Sequence, residues 1–366
     1  MDAIGRTWLA LGIALGALML VAGTPSLAAM DGVSFKGKTV TLLIGSTPGG
    51  STDLSGRLIH PYIAKYLPGS PRSVVQNKPG ARGMTAMNYF AQAAKPDGLT
   101  VIWGSNQQVD PNVYRQPQSR YNPTEFRMVG GIDVGGSFMF VRNEVLGRLK
   151  DKSAEPVPMA STSGSPRSGM LMAAWGAEFL GWNIKWVAGY RGSSSLLLAL
   201  KRGEAGMTSL SLSTTGIDEV VTDKSAFTIV SQTGTHGGAK PTTVSLLRDV
   251  PLFPEMMKGK ISDPVAQEAF AYWRNISSII KWYGLPPGTP DNVLAAYKAA
   301  LQKTLNDPAF LKSGKKLAAD FSVLTGEDLT ATVQALAKTG DEALAYMPKL
   351  LNKQGYEIAT QKKKKK

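Results

Sequence analysis

The chain has 366 residues and a hydrophobic fraction of 43%, enough for sizeable cores in about two domains, which excludes global disorder. It contains no Cys, which excludes disulfides, Cys-based zinc sites and thiol nucleophiles, and two histidines, His60 and His236, argue against a His-rich metal site. The formal net charge is +14, of which the Lys run 362–366 supplies five; the remaining charge of about +9 suits anionic small ligands or an acidic partner surface.

Residues 1–28 read as a removable export signal. Arg6 gives the positive start, Trp8 to Val21 an apolar run, and Ser26-Leu27-Ala28 small residues before a cut after Ala28. The run is short for a membrane span, although an uncleaved N-terminal anchor is the alternative. The body is therefore expected in the periplasm, with stability drawn from core size. The Lys-rich tail 358–366 reads as solvated. No aromatic-interleaved basic motif accompanies the charge, so no nucleic-acid partner is expected.

Lys38 to Ile44 is a buried-strand pattern. Asp53 to Leu67 has helical spacing, which Pro61 should kink or interrupt. Val74-Val75 is a short strand closed by the turn Asn77 to Gly80. Met84 to Ala94 is a helix, and Thr100 to Trp103 a strand running into Gly104 to Gln107. This β-α-β-α-β order predicts an α/β unit with a parallel sheet and ligands beyond the carboxyl ends of its strands. A second unit repeats the order. Phe138 to Val141 and Pro158 to Ser161 are strands, Met170 to Leu180 a helix, and Ile184 to Val187 a strand. Ser195 to Lys201 is a helix ending at Gly203, and Met207 to Leu212 is a strand. The final third is helical: Asp291 to Leu305, then a capping box at Thr325 to Asp328 before a helix to about Tyr346.

The loop from Gly45 to Thr52 differs by one residue type from a phosphate-binding G-x-x-x-x-G-K-[ST] loop: Ser51 stands where the Lys belongs. Gly49 and Gly50 allow close backbone approach, and the helix that follows points N–H groups and about half a positive charge at the same place. Without the Lys, and with Asp53 nearby, a carboxylate fits better than a triphosphate. An ordinary strand–helix turn would share the spacing. Ser163-Gly164-Ser165 offers similar donors in the second unit, with Pro166 at a first helical position and Arg167 beside it.

Enzyme readings fare poorly. There is no G-x-S-x-G and no H-E-x-x-H. Ser313 to Lys316 and Lys338-Thr339-Gly340 match fragments of acylase motifs, but lie too close together and lack S-D-N between them. His236 has no carboxylate neighbour in sequence. No enzyme activity, cofactor or metal is expected.

Four segments in order resemble a known family, the periplasmic receptors of tripartite tricarboxylate transporters (Bug or TctC-like receptors). They are Pro48 to Asp53 with Arg57; Asn77 to Ala81 with Pro96 to Thr100; Gly189 to Ser193 with Gly203 to Ala205; and Tyr283 to Pro290. The resemblance implies an α/β, type II periplasmic-binding-protein fold, with two lobes, a central cleft and two hinge crossings. Lobe 1 would take 36–140, lobe 2 141–250, and 251–357 would return to lobe 1 and end in helices. Carried over, the ligand-binding positions are Thr47, Gly49, Gly50, Ser51, Thr52 and Asp53 facing Ser163, Gly164, Ser165 and Arg167. Asn106, Gln107, Thr208 and Ser209 would be cleft neighbours. The implied protein is a monomeric receptor that passes a small carboxylate (di- or tricarboxylate, or aromatic acid) to a two-component membrane permease. The alternative is a sensor subunit for a signalling partner. Departures include Ser46-Thr47, where an apolar pair is common, and a divergent stretch from Lys258 to Ser277.

Overall fold

The computed structural model describes residues 32–133, 136–162, 166, 169–212, 214–234, 243, 247–314 and 322–356. The export-signal reading, His236 and the Lys-rich tail fall outside them.

Eleven strands form two sheets among the described residues. The first sheet contains β1 (Thr39–Ile44), β2 (Arg72–Asn77), β3 (Thr100–Ser105), β4 (Arg127–Asp133), β10 (Lys281–Leu285) and β11 (Ser322–Thr325). Its order is β11-β4-β10-β3-β1-β2. The second contains β5 (Phe138–Arg142), β6 (Val157–Thr162), β7 (Ile184–Tyr190), β8 (Met207–Leu210) and β9 (Phe227–Gln232), in the order β7-β6-β8-β5-β9.

The sequence of β1 explains why the first sheet is covered on both faces. Val40, Leu42 and Ile44 enter one core with Ile59, Ile63, Tyr297 and Leu301, from the helices Ser51–Tyr66 and Asp291–Leu305. Leu43 points the other way, into a core with Met87, Phe90, Val333 and Leu336, from the helices Met84–Ala93 and Gly326–Ala337. A near-continuous apolar strand is what a parallel sheet buried on both sides requires. Each such side chain contributes about 2 kcal/mol by leaving water.

β1 runs parallel to both β2 and β3, as the β-α-β-α-β reading expects. β10 enters antiparallel between β3 and β4. Its first residue, Lys281, therefore sits at the same end of the sheet as the carboxyl ends of β1 and β3. The chain passes from the first sheet to the second between β4 and β5, and returns between β9 and β10. The second core gathers Phe138, Trp175 and Trp182 with Phe253 and Trp273, and with Leu350 and Leu351 of the helix Asp341–Lys353.

Two expectations are corrected. Helix Ser51–Tyr66 runs through Pro61 without a break. Pro61 lies on the exposed face, where water can take the carbonyl its missing N–H leaves free. The helix expected to reach Tyr346 is two helices, Gly326–Ala337 and Asp341–Lys353, with Gly340 as N-cap of the second in extended conformation. The Thr325 cap is present, its hydroxyl accepting from the Asp328 N–H at 3.1 Å.

Candidate functional site

The loop after β1 is pinned from inside. Asp53, 1% exposed, accepts from the Gly49 N–H at 2.9 Å, from Asn77 Nδ2 at 2.8 Å and from Arg57 Nε at 2.9 Å. Asn77 Nδ2 also donates to the Ser46 carbonyl at 3.0 Å, and Arg57 donates to Asn77 Oδ1 at 2.7 Å. Burial alone would raise the Asp53 pKa, but the hydrogen bonds from Arg57, Gly49 and Asn77 outweigh it and hold the carboxyl below its ordinary range. Asp53 is thus neutralised within its own lobe. Gly49 takes a left-handed φ of 82°, which glycine adopts without cost. Gly50 is the helix N-cap, and no side chain caps this N-terminus. The first helical N–H groups are left available at the positive end of the macrodipole.

Lys281 supplies the charge that the loop lacks. It is 9% exposed, and its ammonium donates to Thr52 Oγ1 at 2.6 Å. Among the described residues no carboxylate lies within ion-pair distance of it. Burial pulls its pKa down to about 8. Ser46 Oγ, buried and without a hydrogen-bond partner among the described residues, lies beside the same helix start.

These groups face a cleft of about 1050 Å³ between the two sheets. One wall is polar: Ser46 and Thr47, then Gly50 to Thr52, with Asn106, Gln107 and Lys281. The lining also includes the apolar residues Leu171, Trp273, Ile276, Leu344 and Met347. Trp273 and Ile276 come from the helix Pro264–Ser278, and Leu344 and Met347 from Asp341–Lys353. Another part is the turn Gly80 to Gly83, four consecutive residues with positive φ, including Ala81 at 45° and Arg82 at 58°. Non-glycine residues there cost about 1–3 kcal/mol each, strain that concentrates at binding sites. The turn is held by Gln108 Nε2 donating to the Arg82 carbonyl at 2.7 Å. Arg82 stands 4.0 Å from Asp110, which accepts from Tyr272 OH at 2.8 Å. Burial, then the Asp110 charge, push the Tyr272 pKa up, so it stays a donor.

Of the candidate positions, Thr47, Gly50, Ser51, Thr52, Asn106 and Gln107 line this cleft. Gly49 and Asp53 do not; their polar groups are turned onto each other. Thr208 and Ser209 are buried in β8, where Thr208 Oγ1 donates to the Ala160 carbonyl at 3.0 Å. Ser163, Gly164, Ser165 and Arg167 lie outside the described residues, while Pro166 between them lines the cleft. His60 is fully buried beneath the sheet, its Nδ1 3.0 Å from Tyr283 OH and its Nε2 3.3 Å from the Val40 carbonyl. Sequence reasoning missed Lys281, Ser46, Asp110 and Tyr272. One signal was available: Lys281 interrupts the apolar run Ile279 to Tyr283, an unusual place for a lysine.

In sequence the chain is similar to a UPF0065 protein of Bordetella pertussis, at 27% identity over 296 residues, 76% of this chain and 80% of that one. No family model matches it. In structure it is similar to a TctC solute binding protein from Polaromonas, with a TM-score of 0.62 at 18% identity, over 86% of this chain and 98% of that one. The fold is that of the TctC-type solute-binding proteins. A further structure of this TctC-type fold is R. palustris Rpa4515 with adipate, with a TM-score of 0.55 at 20% identity, over 87% of this chain and 97% of that one. Lys281 lies outside the sequence segments that resemble the TctC-type receptors.

Proposed function

We propose that this chain is a periplasmic solute-binding receptor, not an enzyme, which closes its two lobes on a small organic carboxylate and delivers it to a two-component membrane permease. The observation that carries this reading is the convergence of an uncapped helix start and the Lys281 ammonium on one cleft between the sheets. Such donors hold a carboxylate through charge-assisted hydrogen bonds of about 1.5–3 kcal/mol each. Adipate, found with a protein of the same fold, sets the chemical class to test first.

Closure would be a hinge motion across the two crossings. A ligand shifts that equilibrium only by binding the closed form better than the open one. A thermal-shift panel tests the class: organic acids raise the melting temperature, because a ligand that binds only the folded state stabilises it. Stabilisation by amino acids or sugars, with none from organic acids, would overturn the substrate class.

A further inference from the structure

We infer that the cleft selects an amphipathic monocarboxylate, its one acidic group held between Lys281 and the start of helix Ser51–Tyr66 and its apolar body against the partly exposed Leu171, Ile276 and Met347. This rests on the receptor reading above and narrows it. The argument is one of charge balance. Three formally charged side chains line the cleft among the described residues: Arg82, Asp110 and Lys281. Arg82 and Asp110 lie 4.0 Å apart and offset each other. Asp110 is further occupied by the Tyr272 hydroxyl and by the Asn112 N–H at 2.9 Å.

Among the described residues Lys281 is left as the uncompensated charge. An ammonium has three N–H donors, and Thr52 takes one. A buried charge without a counter-ion is costly, and the position is tolerated where a ligand brings the opposite charge. One carboxylate completes that balance.

A second carboxylate on the same ligand would reach a different surface. The apolar part of the lining, Leu171, Trp273, Ile276, Leu344 and Met347, offers no compensation for a desolvated charge. The Arg82 guanidinium stands 4.0 Å from Asp110, whose own charge would repel a second acid. A hydrocarbon or aromatic body on this part of the lining removes apolar surface from water instead.

Hexanoate and adipate provide the test, since they share six carbons and differ by one carboxylate. Isothermal titration at pH 7 is expected to give hexanoate the tighter Kd, by about tenfold or more. Lys281→Met is expected to weaken hexanoate about tenfold or more. Adipate binding as tightly as hexanoate, or more tightly, overturns the inference and leaves the receptor reading standing. So does unchanged hexanoate affinity in a folded Lys281→Met. Should that variant fail to fold, the wild-type comparison of the two acids still decides. Binding of no carboxylate at all brings down both readings.

Discussion

Lys281 and Thr52 meet through a 2.6 Å hydrogen bond, although 229 residues separate them in sequence. The contact joins the first residue of β10 to the first turn of the helix after β1, so a lysine reaches the anion loop by topology rather than by motif. Its consequence is pH dependence. Burial holds the Lys281 pKa at about 8, below the ordinary 10.5. The unfolded chain therefore binds the extra proton between those values, and the ligand-free protein gains stability as pH rises through that window. Carboxylate binding runs the other way, because it needs the ammonium. Affinity is expected to hold steady below pH 8 and to be about tenfold weaker at pH 9. Titrations at pH 7 and pH 9 check this, and equal affinities would remove Lys281 from the site.

Asp53 is expected to matter for the loop's shape, not for ligand contact. Asp53→Ala leaves the Gly49 N–H without its acceptor and the Asn77 amide with the Ser46 carbonyl alone. The expected loss is about 2 kcal/mol of stability, read by urea denaturation. The lowered pKa gives a second sign: the Asp53 contribution is present above its unfolded pKa and is lost as pH falls through the folded value. Wild-type stability in Asp53→Ala would show that the loop stands without this anchor.

His60 predicts acid sensitivity remote from the cleft. The Val40 carbonyl can only accept, so Nε2 carries the proton and Nδ1 accepts from Tyr283 OH. Burial lowers the His60 pKa to about 4. The unfolded chain takes up the proton first, so stability falls as pH drops from about 6.5 to about 4, by about 3 kcal/mol in all. His60→Gln is expected to flatten that part of the Tm–pH curve. An unaltered slope would assign the acid loss elsewhere.

Gly50 separates backbone approach from folding. Its φ is −75°, and an added Cβ would meet only the Thr47 carbonyl, at 3.5 Å. Gly50→Val is therefore expected to keep the fold and melt within a few degrees of wild type. The added methyls should obstruct approach to the helix N–H groups and weaken carboxylate binding about tenfold. Unchanged affinity in titration would take this N-terminus out of the site.

The parallel half of the first sheet was legible because β1 and β3 are continuous apolar runs and their helices carry 3.6-residue spacing. The antiparallel insertions were not. No strand was predicted at β10, where Gly284 and the prolines that follow look like punctuation; pairing with β3 and β4 overrides that local signal. Four of the six candidate loop positions, Thr47 and Gly50 to Thr52, line the cleft; the glycine spacing pointed to this loop, and the family resemblance supplied the individual positions. Lys281 was not, because no local pattern ties it to Thr52, and the reading of Asp53 as a cleft residue missed that its charge is consumed by Arg57 and Asn77. The helix Pro264–Ser278, which looked divergent in sequence, places Tyr272, Trp273 and Ile276 in the cleft, so a departure from the family segments coincides with part of the lining proposed to contact the solute.

The central claim is that the cleft captures a small organic acid. Mass spectrometry of the small molecules released on denaturing freshly purified protein tests it most directly. The expected result is an organic carboxylate in near-stoichiometric amount, lost from Lys281→Met. Stoichiometric release of an amino acid, a sugar or a nucleotide would contradict it.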